Sequence, residues 1–435
     1  MTHEEKVDRI ITAIKARPER ATLSFKKRTV SHKVPRRESR RPSAHVLDVS
    51  DLDSILEIDA AAMTCTAEPG VTFEALVRRT LALGLVPVTV PELKTITVGG
   101  AVAGCSVESM SFRYGGFHDS CLDYEVVTAD GRVLDCSRDG DNPLIFEMAH
   151  GTFGTLGLIT KLKFKLLPAK PYVHLVYERH CDFGGFRQAV HERMRQDGID
   201  FIDGLVVSPR EFILCLGSFV DSAPYTHSYD WMSVYHQSAA ALREDYMRTY
   251  DYFFRYDADC HWIMRNYGME NPVLRFMFGR LFLSSAKALT LARAVGRVQG
   301  PRRPAVIVDL FVPDAKAECF FDFYAREFDY YPLWIVPYSI PKVYPWISPL
   351  HIPCDSEKLY FDFAIYGYKQ KDGRNYYRLL EEKLKELGGI KTLISHNFHE
   401  RDEFWSIWNK ENYDRVKEAV DPDNAFRNLY EKTHG

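Results

Sequence analysis

Residues 90–104 read VPELKTITVGGAVAG, and residues 150–157 read HGTFGTLG. The first segment places two adjacent glycines among small side chains and ends on a third, and the second repeats glycine at every third position. Glycines let backbone amides approach an anion closely, and the oxygens of a pyrophosphate accept several such donors. On spacing alone the signal is weak, and a tightly packed glycine turn is an equal alternative.

Neither segment has the spacing of the familiar nucleotide fingerprints. Residues 150–157 do not read G-x-G-x-x-G and do not lie between a strand and a long helix, so no Rossmann NAD site is predicted there.

A hairpin is predicted around Asp130-Gly131, with a two-residue type I′ turn. Residues 158–166 alternate apolar or threonine side chains with isoleucine and lysine, which predicts a half-buried strand. Residues 91–116 show little periodicity and are predicted to form a long functional loop.

Composition indicates a folded enzyme of two domains. The chain has 435 residues, of which 46% are hydrophobic and 26% charged, and its net charge is -3. The nine cysteines are scattered and never spaced C-x-x-C, which favours reduced thiols in a cytosolic setting over disulfides or a zinc site. No apolar run is long enough to predict a spanning helix. We therefore expect a cytoplasmic protein, with peripheral membrane contact as the open alternative.

Two prolines at 168 and 171 mark the best domain boundary. The pattern predicts an α+β fold in which residues 1–169 form a nucleotide-binding domain and residues 170–400 a substrate-binding cap domain with an antiparallel sheet. Residues 401–435 are expected to be helical and to pack back on the first domain. Their main helix is predicted over about 402–420, ahead of Pro422.

The two glycine segments, their separation and the hairpin between them resemble the FAD-binding domain of the vanillyl-alcohol-oxidase type, also called PCMH type. Longer runs are similar to the 24-dehydrocholesterol reductase family of sterol side-chain reductases. They include SVESMSFRYGGFHDSCLDYEVVTADG (106–131), NPVLRFMFGRL (271–281) and LYFDFAIYGY (359–368). The resemblance extends from about residue 20 to the end and so covers both predicted domains.

The resemblance implies FAD contacts at a defined set of positions. They are Thr29, Ser31, Pro91, Thr97, Gly99, Gly100, Gly104, Ser109, Ser111, Tyr114, Asp119, Gly151, Gly154, Thr155, Gly157 and Ile159. Residues 26–28 are Lys-Lys-Arg where relatives carry glycines, and such cations can replace amides at a phosphate. Val107 and Glu108 stand where many oxidases carry a tethering histidine, so we expect non-covalent FAD. NADPH is a candidate for its reductant.

By the same resemblance, reduced FAD delivers hydride to a C=C bond of a sterol, isoprenoid or other lipid chain, while an acid protonates the neighbouring carbon. The candidate acids are Glu108, His396, Glu92 and Tyr366, and each has a structural role as its alternative. One alternative function is an FAD-dependent oxidase or dehydrogenase of an alcohol or hydroxy acid. Another is a lipid-binding protein with a vestigial flavin fold. The sequence leaves the substrate, the electron donor and the oligomeric state open.

Two further segments are candidates for contact with lipid. Residues 26–41 carry eight basic residues and one acid, yet no nucleic-acid-binding motif accompanies them, so lipid head groups or a solvated face are the alternatives. Residues 272–283 are mostly apolar with two arginines. This segment is too short to span a bilayer, so it predicts either a buried cap helix or a helix lying in a membrane interface.

Overall fold

The computed structural model describes residues 1–29, 45–287, 290, 305–351 and 358–434, and within them the chain has an α+β fold. The helices are α1 His3–Lys15, α2 Phe73–Leu81, α3 Val98–Gly104, α4 Ser111–Tyr114, α5 Pro143–Met148, α6 Phe183–Arg193, α7 Tyr235–Ala241, α8 Thr249–Phe253, α9 Pro272–Phe282, α10 Ala317–Glu327, α11 Tyr376–Leu387, α12 Arg401–Ile407, α13 Lys410–Val420 and α14 Leu429–Thr433. The strands are β1 Leu23–Lys26, β2 His45–Asp48, β3 Ile55–Asp59, β4 Thr64–Ala67, β5 Leu85–Pro87, β6 Cys121–Val127, β7 Val133–Ser137, β8 Leu158–Pro168, β9 Tyr172–His180, β10 Phe201–Ser208, β11 Glu211–Val220, β12 Glu244–Arg248, β13 Val306–Pro313, β14 Leu333–Ser339, β15 Leu359–Tyr368 and β16 Ile390–Lys391.

The first sheet is antiparallel, in the order β3-β4-β8-β6-β7, and β5 pairs with the end of β8. Strand β8 is central because its apolar and threonine side chains alternate with lysines, and every second residue from Leu158 to Leu166 is buried. The predicted hairpin is present, but its turn is longer than predicted. Residues 128–132 connect β6 to β7, the amide of Thr128 bonds to the carbonyl of Arg132, and positive φ occurs at Gly131 and not at Asp130.

The second sheet is also antiparallel and has eight strands in the order β12-β9-β11-β10-β14-β15-β13-β16. The chain passes from the first sheet to the second between Pro168 and Tyr172. One face of the second sheet is covered by α6, α10 and α11 through a phenylalanine-rich core. Side chains of the other face belong to a core that continues into the first sheet, so this face is directed toward that sheet.

Two regions differ from the sequence-based expectation. Residues 91–116 are not one long loop, since α3 and α4 form within them. The predicted helix over about 402–420 is broken after Ile407, because Trp408 makes a β-bridge with Ile347 and the side chain of Asn409 caps a new helix, α13. In the described part of the chain, no helix is long and apolar enough to cross a membrane.

The C-terminal segment packs against the first domain. The carbonyl of Ala425 accepts the amide of Leu23 at 2.8 Å, and the carbonyl of Val420 accepts the amide of Ala129 at 3.0 Å. The buried ammonium of Lys417 donates to the carbonyl of Thr155 at 2.9 Å. These bonds bring the last turns of the chain to the edge of the glycine segment 150–157.

Candidate cofactor and substrate cavity

A cavity of about 610 Å³ lies between the two sheets. One wall is the segment 91–108, and the opposite wall is the face of β13, β14 and β15. One end is lined by residues of the segment 23–29, by residues of the segment 152–159 other than Thr155, and by Phe426, Arg427 and Lys432 of the C-terminal segment. This volume is typical of a site that encloses a small molecule.

Most residues predicted to contact FAD lie in the lining of this cavity. They are Thr29, Pro91, Thr97, Gly99, Gly100, Gly104, Gly154, Gly157 and Ile159. Gly151 lines a neighbouring, smaller cavity. The linings do not include Ser109, Ser111, Tyr114, Asp119 or Thr155, and Ser31 lies outside the described residues.

The predicted residues outside the linings hold the loops in place. The hydroxyl of Ser111 accepts the amide of Glu108 at 2.8 Å. The carboxylate of Asp119 accepts the amide of Gly116 at 2.9 Å and the hydroxyl of Tyr344 at 2.7 Å. The buried hydroxyl of Thr155 donates to the carbonyl of Thr152 at 2.8 Å. At these three positions the side chains are used in hydrogen bonds within the protein.

The backbone donors at the cavity differ from those expected in residues 90–104. The amide of Gly99 is taken by the carbonyl of Pro69 at 3.0 Å, and that of Gly100 by the hydroxyl of Thr97 at 3.2 Å. By contrast, the amides of Gly154, Leu156 and Gly157 donate to no acceptor among the described residues, and all three residues line the cavity. A buried amide normally has a partner, so the second glycine segment offers the better set of donors to a ligand.

Cations are concentrated at the same end of the cavity. Lys27, Arg427 and Lys432 all line it. Burial, reinforced by repulsion from Arg427 and Lys27, lowers the pKa of Lys432 to about 7, and its ammonium donates to the carbonyl of Phe153 at 2.6 Å. A lysine whose pKa is lowered this far by burial beside like charges favours an anionic ligand.

Carboxyl groups line the cavity from the sheet face. Asp309 on β13 and Asp362 on β15 both line the cavity, and the hydroxyl of Tyr366 donates to the Asp309 carboxylate at 2.6 Å. Burial raises the pKa of Asp309 to about 6, and burial together with the charge of Asp309 raises the pKa of Asp362 well above its ordinary value. Two neighbouring carboxyls in such a site hold a proton near neutral pH.

Two predicted acids, Glu92 and Glu108, also line the cavity, in different surroundings. Glu92 is fully buried and lies 2.9 Å from the guanidinium of Arg255, which also lies 3.2 Å from Asp203. Glu108 accepts the amide of Glu92 at 3.0 Å. Burial raises the pKa of both glutamates. The ion pair with Arg255 gives Glu92 a structural role.

Of the predicted acids, His396 alone is absent from the cavity lining. Its ring packs beside those of Tyr377 and Phe398. His261, which was not predicted from the sequence, lines the cavity with its ring 4.2 Å from that of Tyr366. Cys260 and His261 are consecutive and both have positive φ, 46° and 62°. Such backbone strain in non-glycine residues is frequent at functional sites.

The smaller cavity has a volume of about 320 Å³ and shares Gly104, Val107 and Phe311 with the large one. Aromatic and aliphatic side chains form most of the rest of its wall. They include Tyr338, Ile340, Val343, Tyr344, Trp346, Ile347, Tyr360, Leu393 and Trp408. The two cavities therefore meet where the segment 91–108 faces β13.

Several lining residues were missed because their signal is not local. Asp309 and Asp362 lie on separate strands, and the C-terminal cations Arg427 and Lys432 are about 400 residues from Lys27 in sequence. One available signal was a lone aspartate at an inward position of each apolar strand, VIVDLFVP and LYFDFAIYGY.

Comparison with known proteins agrees with this architecture. A family model described as an FAD binding domain matches residues 2–137. The chain is 27% identical to the Delta(24)-sterol reductase homolog of Caenorhabditis elegans, over 96% of this chain and 82% of that protein. It is 26% identical to the Delta(24)-sterol reductase of Homo sapiens, over 88% and 76% of the two chains. For that of Arabidopsis thaliana the identity is 24%, over 99% and 84%. The similarity thus extends over both sheets.

Proposed function

We propose, because this chain belongs to the Delta(24)-sterol reductase family of FAD-binding proteins, that it uses FAD to reduce a carbon–carbon double bond in a sterol, isoprenoid or other lipid chain. The observation that carries the proposal is the cavity between the two sheets. It is lined by anion-binding groups and, on the sheet face, by a proton-holding pair of carboxyls.

The residues present fit FAD. The amides of Gly154, Leu156 and Gly157 would bind its pyrophosphate, with Lys27, Arg427 and Lys432 as counter-charges. Residues 104–108 would border its ring system, next to the sheet face. Bound and reduced, FAD supplies the hydride. We propose non-covalent binding, and precipitation of the protein should then release all of the flavin as FAD.

The proton comes from the chain itself. In our proposal the Asp309–Asp362 pair holds it, and the hydroxyl of Tyr366 orients Asp309 through their hydrogen bond. Hydride adds to one carbon of the double bond and supplies both electrons of the new C–H bond there. The proton is transferred to the other carbon, where the electron pair of the former double bond forms the second C–H bond. A carboxyl with a pKa near the working pH is suited to this role. Glu108 is the alternative acid, and Glu92 is assigned to structure by its pairing with Arg255.

Each turnover withdraws two electrons from the flavin, and we propose that NADPH replaces them. The overall reaction is then alkene plus NADPH plus a proton to the saturated chain plus NADP⁺. The apolar body of the substrate would occupy the smaller cavity, whose aromatic wall meets the large cavity at Val107 and Phe311. Because sterols and lipid chains reside in bilayers, we also propose that the protein meets its substrate at a membrane surface.

Half-reaction kinetics test the function. Anaerobic stopped-flow mixing should show that NADPH bleaches the flavin. Sterols or isoprenoids with a trisubstituted side-chain double bond should then restore its absorbance faster than oxygen does. Reduction of the flavin by alcohols, with oxygen as the faster oxidant, would instead establish an oxidase, and protein purified without flavin would favour the lipid-binding alternative.

Lys432→Gln is expected to raise the Kd for FAD about 10- to 100-fold, since a charge-assisted contact with a phosphate contributes roughly 1.5–3 kcal/mol. Burial lowers the pKa of this lysine to about 7, and binding of an anion would raise it. Wild-type affinity should therefore fall as pH increases above about 7, and the variant should lose this dependence. Flavin fluorescence titration of apoprotein measures both effects.

Lys287→Gln, an exposed lysine outside the cavity lining, provides the control and should bind FAD like the wild type. Unchanged affinity and pH dependence in Lys432→Gln would place the pyrophosphate elsewhere.

A further inference from the structure

Helix α9 has its polarity reversed relative to an ordinary surface helix. Its buried residues are Arg275 and Gly279, whereas its apolar side chains face outward. Val273, Phe276 and Leu281 are 64–65% exposed, and Met277 is 60% exposed. The α9 patch consists of Val273, Leu274, Phe276, Met277, Phe278, Leu281 and Phe282, all of which are at least 36% exposed. A contiguous apolar surface of this kind marks an interaction site.

The orientation of α9 is fixed by buried polar contacts. The guanidinium of Arg275 makes two hydrogen bonds to Asp259, at 2.6 and 2.9 Å, and a third to the carbonyl of Ser233 at 3.1 Å. The side chain of Asn271 caps the first turn by accepting the amides of Val273 and Leu274. Rotating the helix to bury the patch would expel Arg275 and leave Asp259 buried without its counter-charge, which is strongly unfavourable. The outward apolar face is therefore a stable feature of the fold.

Charge around the patch matches an anionic surface. Helix α9 contains no acidic residue, and its exposed Arg280 lies 4.3 Å from the centre of the Trp231 ring. The exposed Lys287 follows and donates to the carbonyl of Arg280 at 2.9 Å. In sequence, residues 287–303 contain five basic residues and no acid. Basic residues beside an apolar helix face attract anionic lipid head groups.

A second copy of the chain is a weaker match for this surface. Stable protein interfaces use about 20–30 residues from each partner, whereas the patch consists of seven side chains on one helix about 16 Å long. We propose that α9 lies in the head-group region of an anionic bilayer, with the α9 patch directed toward the acyl chains. This deepens the proposed function by naming the surface through which a lipid substrate is reached, and it rests on that function only for the identity of the lipid.

The position of α9 supports this role. An apolar cluster lies between the helix and the large cavity, formed by Leu93, Ala258, Cys260, Met264, Met269 and Leu283. Leu93 and Cys260 also line the cavity, and Leu283 directly follows α9. The bilayer-facing helix and the cavity wall thus share one apolar cluster, which brings the bilayer surface close to the reacting end of the cavity.

Vesicle sedimentation of the FAD-loaded, full-length protein tests the proposal. Wild-type protein should bind vesicles enriched in phosphatidylserine more tightly than vesicles of phosphatidylcholine alone. Phe276→Glu combined with Met277→Glu should weaken binding at least tenfold, because both side chains would have to leave the acyl region. Arg280→Gln should weaken binding to the anionic vesicles about fivefold and leave binding to neutral vesicles unchanged.

Leu83→Glu is the matched control, since Leu83 is also exposed, at 52%, but lies in the turn after α2. It should bind vesicles like the wild type, and flavin absorbance should be equal in all variants if they fold. Equal vesicle binding by wild type and the Phe276/Met277 variant would overturn the proposal. So would a wild-type dimer in sedimentation velocity that this variant dissociates. Because sedimentation requires no turnover, a protein that binds vesicles but reduces no alkene would refute the proposed function alone.

Discussion

Asp309→Asn is expected to slow reoxidation of the reduced enzyme by its alkene about 10²- to 10⁴-fold, the usual contribution of general acid catalysis. The substitution removes one carboxyl of the proton-sharing pair, whose pKa burial raises to about 6. Flavin content and reduction by NADPH should be unchanged, because Asp309 lies on β13 of the sheet face and is not one of the groups proposed to bind the pyrophosphate. Stopped-flow absorbance of the flavin separates the two half-reactions.

The pH dependence of the alkene half-reaction distinguishes a role in proton transfer from a merely structural role. The alkene half-reaction requires the protonated pair, so its rate should be highest at low pH and decline as pH rises through about 6 and above. Tyr366→Phe removes a hydrogen bond that stabilises the charged form of Asp309. The pKa of Asp309 should then rise, and the decline should move to higher pH. A merely structural role for Tyr366 would lower the rate without shifting the profile.

Asp314→Asn is the matched control, since Asp314 directly follows β13 and pairs with Arg187 away from the cavity. Its alkene half-reaction should be that of the wild type. If Asp309→Asn and Asp362→Asn both react at the wild-type rate while Glu108→Gln is slow, the acid lies on the segment 91–108 and not on the sheet.

Arg255→Met is expected to lower the free energy of unfolding by about 3–5 kcal/mol, as removal of one partner from a buried ion pair commonly does. Arg255 lies between Glu92 and Asp203 and is covered by the rings of Tyr252 and Tyr256. Without it, two buried carboxylates lack a counter-charge. Urea unfolding monitored by circular dichroism measures the loss.

The loss in free energy of unfolding caused by Arg255→Met should become smaller as pH falls. Burial already raises the pKa of Glu92, and loss of the Arg255 charge raises it further, so the folded variant binds protons that the unfolded chain releases. Its stability therefore increases as pH is lowered through that raised pKa. Arg113→Met, at an exposed position, should change stability by less than about 0.5 kcal/mol. An Arg255→Met variant as stable as the wild type at neutral pH would show that the ion pair contributes nothing net.

Features with a local physical cause were predictable from the sequence. Strand β8 follows from the alternation of lysines with apolar residues, and the end of α11 follows from Gly388, whose φ is +71°. Glycine spacing around residues 150–157 indicated a ligand-binding backbone. These patterns depend on neighbours within a few residues, so they do not require knowledge of the fold.

Tertiary structure decided which charged residues share the cavity. Lys432 meets Lys27 because the C-terminal segment pairs with the start of β1. Asp309 and Asp362 become neighbours only when β13 pairs with β15, whereas His396 is carried away from the same cavity. A pKa depends on burial and on charges brought close from distant parts of the chain, and neither is encoded by local spacing.

Helix α9 separates the two kinds of information most clearly. The sequence determines that residues 272–282 form a short helix with many apolar side chains and two arginines, because Pro272 and the Asn271 cap favour its start. The sequence pattern does not distinguish Arg275 from Arg280. The fold alone distinguishes them, since Asp259, sixteen residues earlier, turns Arg275 inward and leaves Arg280 outside. Which face of the helix is buried is thus set by the buried contacts of Arg275, above all with Asp259, and not by the helical pattern itself.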